Sequence, residues 1–154
     1  MKRLLLFPLL ATLCAGLLSA ANLADRKVLT LEGAKAIAAA AEAEAVKNKW
    51  NVVIAILDES GNPIYLQRMD GTQVGSVEVA LQKAKSAFLF KRPTKAFEDA
   101  VAQRPVIVRL PNAMPFEGGL PIQVDGHTIG AIGVSGVTSQ QDGQIAAAGL
   151  AVLK

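Results

Sequence analysis

The sequence predicts an α+β domain in which helices pack against an antiparallel sheet. Two observations support this prediction. Strand-like apolar runs occur in pairs joined by short turn segments, and amphipathic helical segments lie before, between and after those pairs. The clearest pair flanks Asp125-Gly126, a dipeptide whose residues tolerate the positive φ angles of a type I′ turn. Because so tight a turn joins only antiparallel strands, the sheet is expected to be antiparallel.

The individual elements are predicted from caps and hydrophobic periods. The first half contains a helix over 30–49 capped by Thr30, strands over 52–57 and 64–69, and a helix from a Ser76 cap to a stop at Pro93. The second half contains a short helix over 94–101, hairpin strands over 120–124 and 128–134, and a last helix that begins with a capping box of Thr138 and Gln141. Residues 104–116 are rich in proline and have no period, so we predict a loop with at most one short strand there.

The N-terminus has the pattern of an export signal. Lys2-Arg3 precedes an apolar run over 4–18, and the small residues at 19–21 fit a signal-peptidase site. A membrane anchor is the competing interpretation, but the run is shorter than the roughly 20 residues that span a bilayer. We therefore predict a signal peptide over 1–21 and a single domain over 22–154, located in the periplasm or secreted, without stable membrane insertion after cleavage.

Removal of this segment changes two inferences about partners and chemistry. Sixteen basic residues become fourteen against thirteen acidic ones, so the formal charge falls from +3 to +1 and nucleic-acid binding loses its electrostatic support. Cys14, the only cysteine, is also removed. The mature chain then has no disulfide, no thiolate metal site and no cysteine nucleophile.

Glycines in and around the second hairpin mark the candidate binding site. Side chains are missing where another backbone or a ligand could approach closely, so we interpret this glycine ribbon, 118–136, as the floor of a ligand pocket. Arg68 ends the strand beside it, and Lys83 belongs to a basic run that fits either a solvated helix face or a site for anionic groups. The predicted ligand-binding residues are Arg68, Met69, Asp70, Lys83, Gly118, Gly119, Pro121, Gly133, Ser135 and Gly136.

Catalytic motifs are scarce. The glycines lie in an antiparallel hairpin, which excludes a dinucleotide-binding βαβ unit, and the sequence contains no P-loop and no histidine-rich metal cluster. Ser135 lacks the G-x-S-x-G pattern of a nucleophile elbow. No catalytic residue is predicted, and a binding protein is favoured over an enzyme.

Five segments together resemble the GlcG/HbpS family, also known as domain of unknown function 336 and found as the C-terminal domain of PduO-type proteins. They are LTLEGAKAIAAAAEAEA, VVIAILDESGNPIYLQRMDG, VALQKAKSA, EGGLPIQVDGHTIGAIGVSG and QDGQIAAAG. The resemblance covers nearly all of the mature chain. It departs from the family at Gly143, where an acidic residue is common.

The resemblance implies a profilin-like fold with a sheet of about five strands, a homo-oligomer and haem as the ligand. The exported branch of the family is associated with haem binding and protection against haem and oxidative stress, and this branch supplies the leading functional expectation. The alternative is a small-molecule enzyme or accessory protein for glycolate-type organic acids, in which Arg68 and Lys83 hold a carboxylate. A third possible function is that of a regulatory oligomer that signals to a membrane partner.

The iron ligand stays open at this point. His127 is the only histidine and a candidate haem-iron ligand, although its place at the hairpin tip favours a solvated turn residue. The other candidates for the iron ligand are Met69, Met114, Tyr65, an oxygen ligand or a residue of a neighbouring subunit.

Overall fold

A computed structural model describes residues 24–153 of the chain, so the predicted signal peptide lies outside the described range. The elements are α1 Leu31–Lys47, β1 Val53–Leu57, β2 Pro63–Arg68, α2 Ser76–Phe90, α3 Lys95–Val101, a 3₁₀ helix Pro105–Arg109, β3 Gly119–Val124, β4 His127–Ser135, α4 Ser139–Leu150 and a 3₁₀ turn Ala151–Leu153. Across 24–153, no helix has the length and apolar character needed to cross a bilayer.

The strands form one antiparallel sheet with the order β2-β1-β4-β3. The predicted α+β class with an antiparallel sheet is confirmed, with four strands in the described residues where about five were expected. All five residues of β1 are buried. This burial follows from its position, because β1 pairs with a strand on each side and has helices on both faces.

Successive side chains of β1 point to opposite faces, and each face has its own core. Ile54 and Ile56 face α1 and α4, where alanines on α1 allow close approach of the helix to the sheet. Val53, Ala55 and Leu57 face α2, where Ala80, Ala84 and Ala87 are half of the buried residues. The domain therefore has three layers: α1 and α4 cover one face of the sheet, and α2 covers the other.

Several local predictions are confirmed. The Thr30 hydroxyl accepts from the Gly33 amide at 3.1 Å. The predicted capping box is complete, because the Thr138 hydroxyl accepts from the Gln141 amide and Gln141 Oε1 accepts from the Thr138 amide. Asp125 and Gly126 have φ angles of +50° and +76°, as a type I′ turn requires.

Two local predictions are wrong. Ser76 is the first residue of α2 and does not cap it, because the N-cap is Gly75 and the buried Ser76 hydroxyl has no hydrogen-bond partner. The proline-rich loop contains a 3₁₀ helix in place of a short strand, and Pro105 begins it. A proline fits the first helical position because its missing N–H would have no partner there.

Candidate functional site

The glycine ribbon is covered by α2. A Cβ atom at Gly133 would lie 2.0 Å from the Ala80 carbonyl oxygen and 2.6 Å from the Ala84 amide nitrogen. A Cβ atom at Gly119 would lie 2.3 Å from the carbonyl oxygen of Lys83. The interpretation of the ribbon as an open floor for a ligand is therefore wrong, because the missing side chains allow a helix backbone to rest directly on the strands.

The other predicted residues of the hairpin are also occupied by protein contacts. Gly136 approaches the chain just before β1, where an added Cβ would lie 2.3 Å from the Asn51 carbonyl oxygen. Gly118 has a φ of +125° and sits beside the Lys83 amine. Ser135 is buried at the end of β4, and Pro121 is half-buried within β3. This part of the predicted site is thus a packed interior.

Lys83 lies inside the protein, where it forms a buried ion pair with Asp142. Its Nζ donates to Asp142 Oδ2 at 2.7 Å and to the Val134 carbonyl oxygen at 3.1 Å, and both charged side chains are only 3% exposed. Burial raises the pKa of the Asp142 carboxyl, and the hydrogen bond and charge of Lys83 oppose that rise. Lys83 is therefore engaged by the protein itself, and its assignment to a solvated helix face is wrong.

A solvent-open cleft lies on the outer side of α2. It has a volume of about 460 Å³ and separates the exposed face of α2 from the segment that follows the first 3₁₀ helix. We call it the α2 cleft. The side chains that line it include Glu78, Gln82, Lys85, Val108, Arg109, Leu110 and Met114.

The α2 cleft combines two cationic side chains with an exposed apolar edge. Lys85 projects from α2 and Arg109 from the end of the 3₁₀ helix, while Val108 and Leu110 are 58% and 39% exposed. The far wall is tied to α2, because the Met114 amide donates to Ser86 Oγ at 3.0 Å. The sequence predicted a proline-rich loop over 104–116, but nothing in the sequence paired this segment with α2.

A second cleft, of about 370 Å³, lies at the end of β2. We call it the β2 cleft. Its lining residues are Glu42, Asn51, Gln67, Arg68, Met69 and Asp70. It brings together three of the predicted ligand-binding residues, Arg68, Met69 and Asp70, and it does not include the glycines or Lys83 with which they were grouped.

His127 lies outside both clefts. It is exposed next to the hairpin turn, and its Nδ1 lies 2.9 Å from the Asp125 carbonyl oxygen. This is the geometry of a solvated turn histidine. Among the described residues, no group of three or more histidine, cysteine and acidic side chains is arranged to hold a metal ion.

Comparison with known proteins identifies the family. The family model described as "Haem degrading protein HbpS-like" matches residues 29–151, most of the chain. The chain belongs to the HbpS-like family. Protein GlcG of Escherichia coli K12 is 43% identical over 109 residues, which cover 70% of this chain and 81% of GlcG.

Two solved structures support the HbpS-like fold. A double mutant of Streptomyces reticuli HbpS is 34% identical, with a TM-score of 0.80, and the match covers 88% of this chain and 93% of that one. A structure described as the PduOC:Heme complex is 28% identical, with a TM-score of 0.72, and the match covers 80% of this chain and 93% of that one. At least one structural neighbour in this family therefore binds haem.

Proposed function

We propose that this protein binds haem and that the α2 cleft holds it. Membership of the HbpS-like family and the similarity to the haem complex of the PduO domain support haem as the ligand. The observation that favours the α2 cleft is its donor set, in which cationic, apolar and thioether side chains meet on one side of a helix.

Each part of haem has a chemical counterpart in the cleft. The two propionates are anionic, and the Lys85 ammonium and Arg109 guanidinium can hold them, with arginine able to bind a carboxylate bidentately. Val108 and Leu110 offer apolar contact to a flat macrocycle, and the volume falls in the usual range for small-molecule sites. The residues present therefore fit the group.

Met114 is the proposed iron ligand. Thioether sulfur is an established haem ligand, and Met114 is half-buried in the cleft with its backbone fixed by Ser86. Bound haem would supply a redox-active iron. The role of the chain's own residues is to hold the propionates, cover one face of the ring and place the sulfur.

The β2 cleft is less suited to haem. It has two carboxylates, Glu42 and Asp70, against one cation, whereas the α2 cleft has two cations against the single carboxylate of Glu78. Met69 is the only apolar residue among those that line the β2 cleft. The organic-acid alternative is also weakened, because Lys83 is paired with Asp142 and cannot hold a substrate carboxylate.

Export and a role in haem sequestration or protection against oxidative stress complete the proposal. Its support is the signal-like N-terminus and the resemblance to the exported branch of the family.

We also propose a homo-oligomer. Val106 and Val108 are more than half exposed beside the cleft, and apolar side chains of this kind are suited to subunit contacts.

Titration of the chain from residue 22 onward with haemin tests the proposal. We expect a Soret shift that saturates at a fixed stoichiometry. Arg109→Gln and Lys85→Gln should each weaken binding by about fivefold, which corresponds to about 1 kcal/mol for a partly solvated charge pair. Lys35→Gln, which removes an exposed charge from α1 on the other side of the sheet, should change nothing. Absence of a saturable shift would refute haem binding, and equal effects of all three variants would refute the site.

A further inference from the structure

We propose that the free edge of β2 is an interface between two copies of this chain, in which the two β2 strands pair antiparallel about a two-fold axis at Gln67. We call residues 65–69, on the side that faces away from β1, the β2 edge. The inference deepens the proposed homo-oligomer by naming one of its contacts, and it does not depend on haem binding. It rests on the direction of the backbone hydrogen-bonding groups along the two outer strands of the sheet.

Alternate residues of β2 direct their backbone N–H and C=O groups away from the sheet. The Met69 amide donates to the Val52 carbonyl oxygen at 3.0 Å. Arg68, one residue earlier, is therefore opposite Val53 in a pair that exchanges no hydrogen bonds. Leu66 lies two residues before Arg68 in the same unbroken register, so it has the same orientation. The backbone groups of both residues point outward, where β2 has no neighbouring strand in the part of the chain that the structure describes.

The other outer strand, β3, has its free side closed. The Gly119 amide donates to Thr94 Oγ1 at 2.9 Å, and the Gly119 carbonyl oxygen accepts from the Thr94 amide at 2.9 Å. The Val134 amide donates to the Gly118 carbonyl oxygen, so the alternation along β3 makes Pro121 the next outward-facing residue. A proline has no N–H to offer and prevents pairing at a sheet edge. The chain thus protects one edge of its sheet and leaves the regular part of the other edge unpaired.

A two-fold axis at Gln67 gives every outward group of Leu66 and Arg68 a partner. In this register Leu66 of one copy is opposite Arg68 of the other, and the reverse pair follows by symmetry. Each pair exchanges both of its N–H···O=C bonds, so the two sheets become continuous. Pro63 and the irregularity opposite Leu57 disturb the first residues of β2, and this register does not use them.

The side chains that face each other in this register are complementary. On the α2 face, the aliphatic stem of Arg68 covers Leu66 of the second copy and leaves the guanidinium in water. Leu66 is 39% exposed in the single chain. On the α1 face, the half-buried Tyr65 ring is opposite the Met69 thioether, and two Gln67 amides meet at the axis. No like charges are directly opposite each other, so the strand is suited to pair with a second copy of itself.

A single introduced cysteine tests the register. The chain from residue 22 onward contains no cysteine, so Gln67→Cys adds the only thiol. Facing residues of a non-hydrogen-bonded pair have Cα atoms about 4.5 Å apart, which lies within the disulfide range. We expect mild oxidation to convert most of Gln67→Cys into a disulfide-linked dimer on a non-reducing gel. Ser60→Cys is exposed on the same hairpin but on the order of 30 Å from its symmetry mate, so it should run as a monomer.

Variants at Leu66 test the interface itself. Because the Leu66 N–H points away from β1, Leu66→Pro removes no bond within the sheet and blocks only its edge. Leu66→Lys places a cation opposite Arg68 of the second copy and serves as a second variant if the proline disturbs folding. Each should weaken dimerisation at least about tenfold in sedimentation velocity. Val152→Lys changes a similarly exposed apolar residue outside β2 and should not.

The outcomes separate this interface from the other proposals. Failure of Gln67→Cys to cross-link, equal cross-linking of Ser60→Cys, or wild-type assembly of Leu66→Lys would overturn the inference, with circular dichroism to show that each variant folds. Dissociation by Val106→Lys without any effect of Leu66→Lys would also overturn it and would place the contact beside the α2 cleft. Haemin titration of Leu66→Lys should match the wild type, so a failure of the β2 edge is distinguishable from a failure of haem binding.

Discussion

Removing the Lys83 amine should be among the most damaging single changes to this fold. In Lys83→Met the Asp142 carboxylate stays buried without its cation, and the Val134 carbonyl oxygen loses a donor. Breaking a buried ion pair from one side costs about 3–5 kcal/mol, against a total stability of about 5–15 kcal/mol for a typical domain. With a urea slope of about 1–3 kcal/mol per molar, the unfolding midpoint should fall by at least about 1 M.

The double variant Lys83→Met/Asp142→Leu separates an unpaired charge from simple loss of packing. Replacing both partners with apolar residues leaves no buried charge, so the double variant should recover much of the lost stability. An exposed pair supplies the matched control: Lys95 Nζ lies 2.6 Å from Asp99 Oδ1 on α3, and Lys95→Met should leave the midpoint unchanged. A fall below about 1 kcal/mol in Lys83→Met, or a double variant less stable than the single one, would refute the reasoning.

The pH dependence of the same variant has a defined sign. Burial already raises the pKa of Asp142, and loss of Lys83 removes the hydrogen bond and the charge that oppose this rise. A carboxyl whose folded pKa exceeds its unfolded value stabilises the fold below the unfolded pKa and loses that contribution as the pH rises through the folded pKa. The stability of Lys83→Met relative to Lys83→Met/Asp142→Leu should therefore increase as the pH is lowered from about 7 toward about 4, near the unfolded pKa of an aspartate.

Three further predictions follow from local geometry. Gly133→Val should abolish cooperative folding, seen as loss of the urea transition, because its side chain would collide with the Ala80 carbonyl; Gly75→Ala, with open space around its Cβ, should fold normally. Thr138→Ala should lower the free energy of unfolding by about 1 kcal/mol in the same assay, through loss of the capping box; no change would show that the cap is not needed. His127→Ala should keep the haemin titration curve of the wild type, and a lost Soret band would restore this histidine as the iron ligand.

Local signals in the sequence predicted local structure well. The Asp125-Gly126 turn and the Thr138 capping box depend on residues within three positions of each other, so their physical requirements can be read directly from the chain. The fold class followed from these elements and their order. The Ser76 cap was wrong because the helix began one residue earlier than the pattern suggested.

The candidate site was harder to predict because it depends on contacts between distant residues. Lys83 and Asp142 are 59 positions apart, and the basic residues near Lys83 in the sequence indicated a solvent-exposed side chain. A glycine in a strand indicates close approach without saying what approaches, and here Gly133 meets a helix and not a ligand. Arg68, Met69 and Asp70, which are adjacent in the sequence, line one cleft, and their role in ligand binding stays a prediction.

The most direct test of haem binding in the α2 cleft compares two methionines. Met114 lines that cleft and Met69 lines the β2 cleft, so Met114→Leu and Met69→Leu remove the same thioether from different places at nearly constant volume. Haemin titration followed by absorbance should show an altered Soret band and weaker binding for Met114→Leu, and a wild-type spectrum and affinity for Met69→Leu. A wild-type spectrum for Met114→Leu, or an altered one for Met69→Leu, would contradict the proposed site.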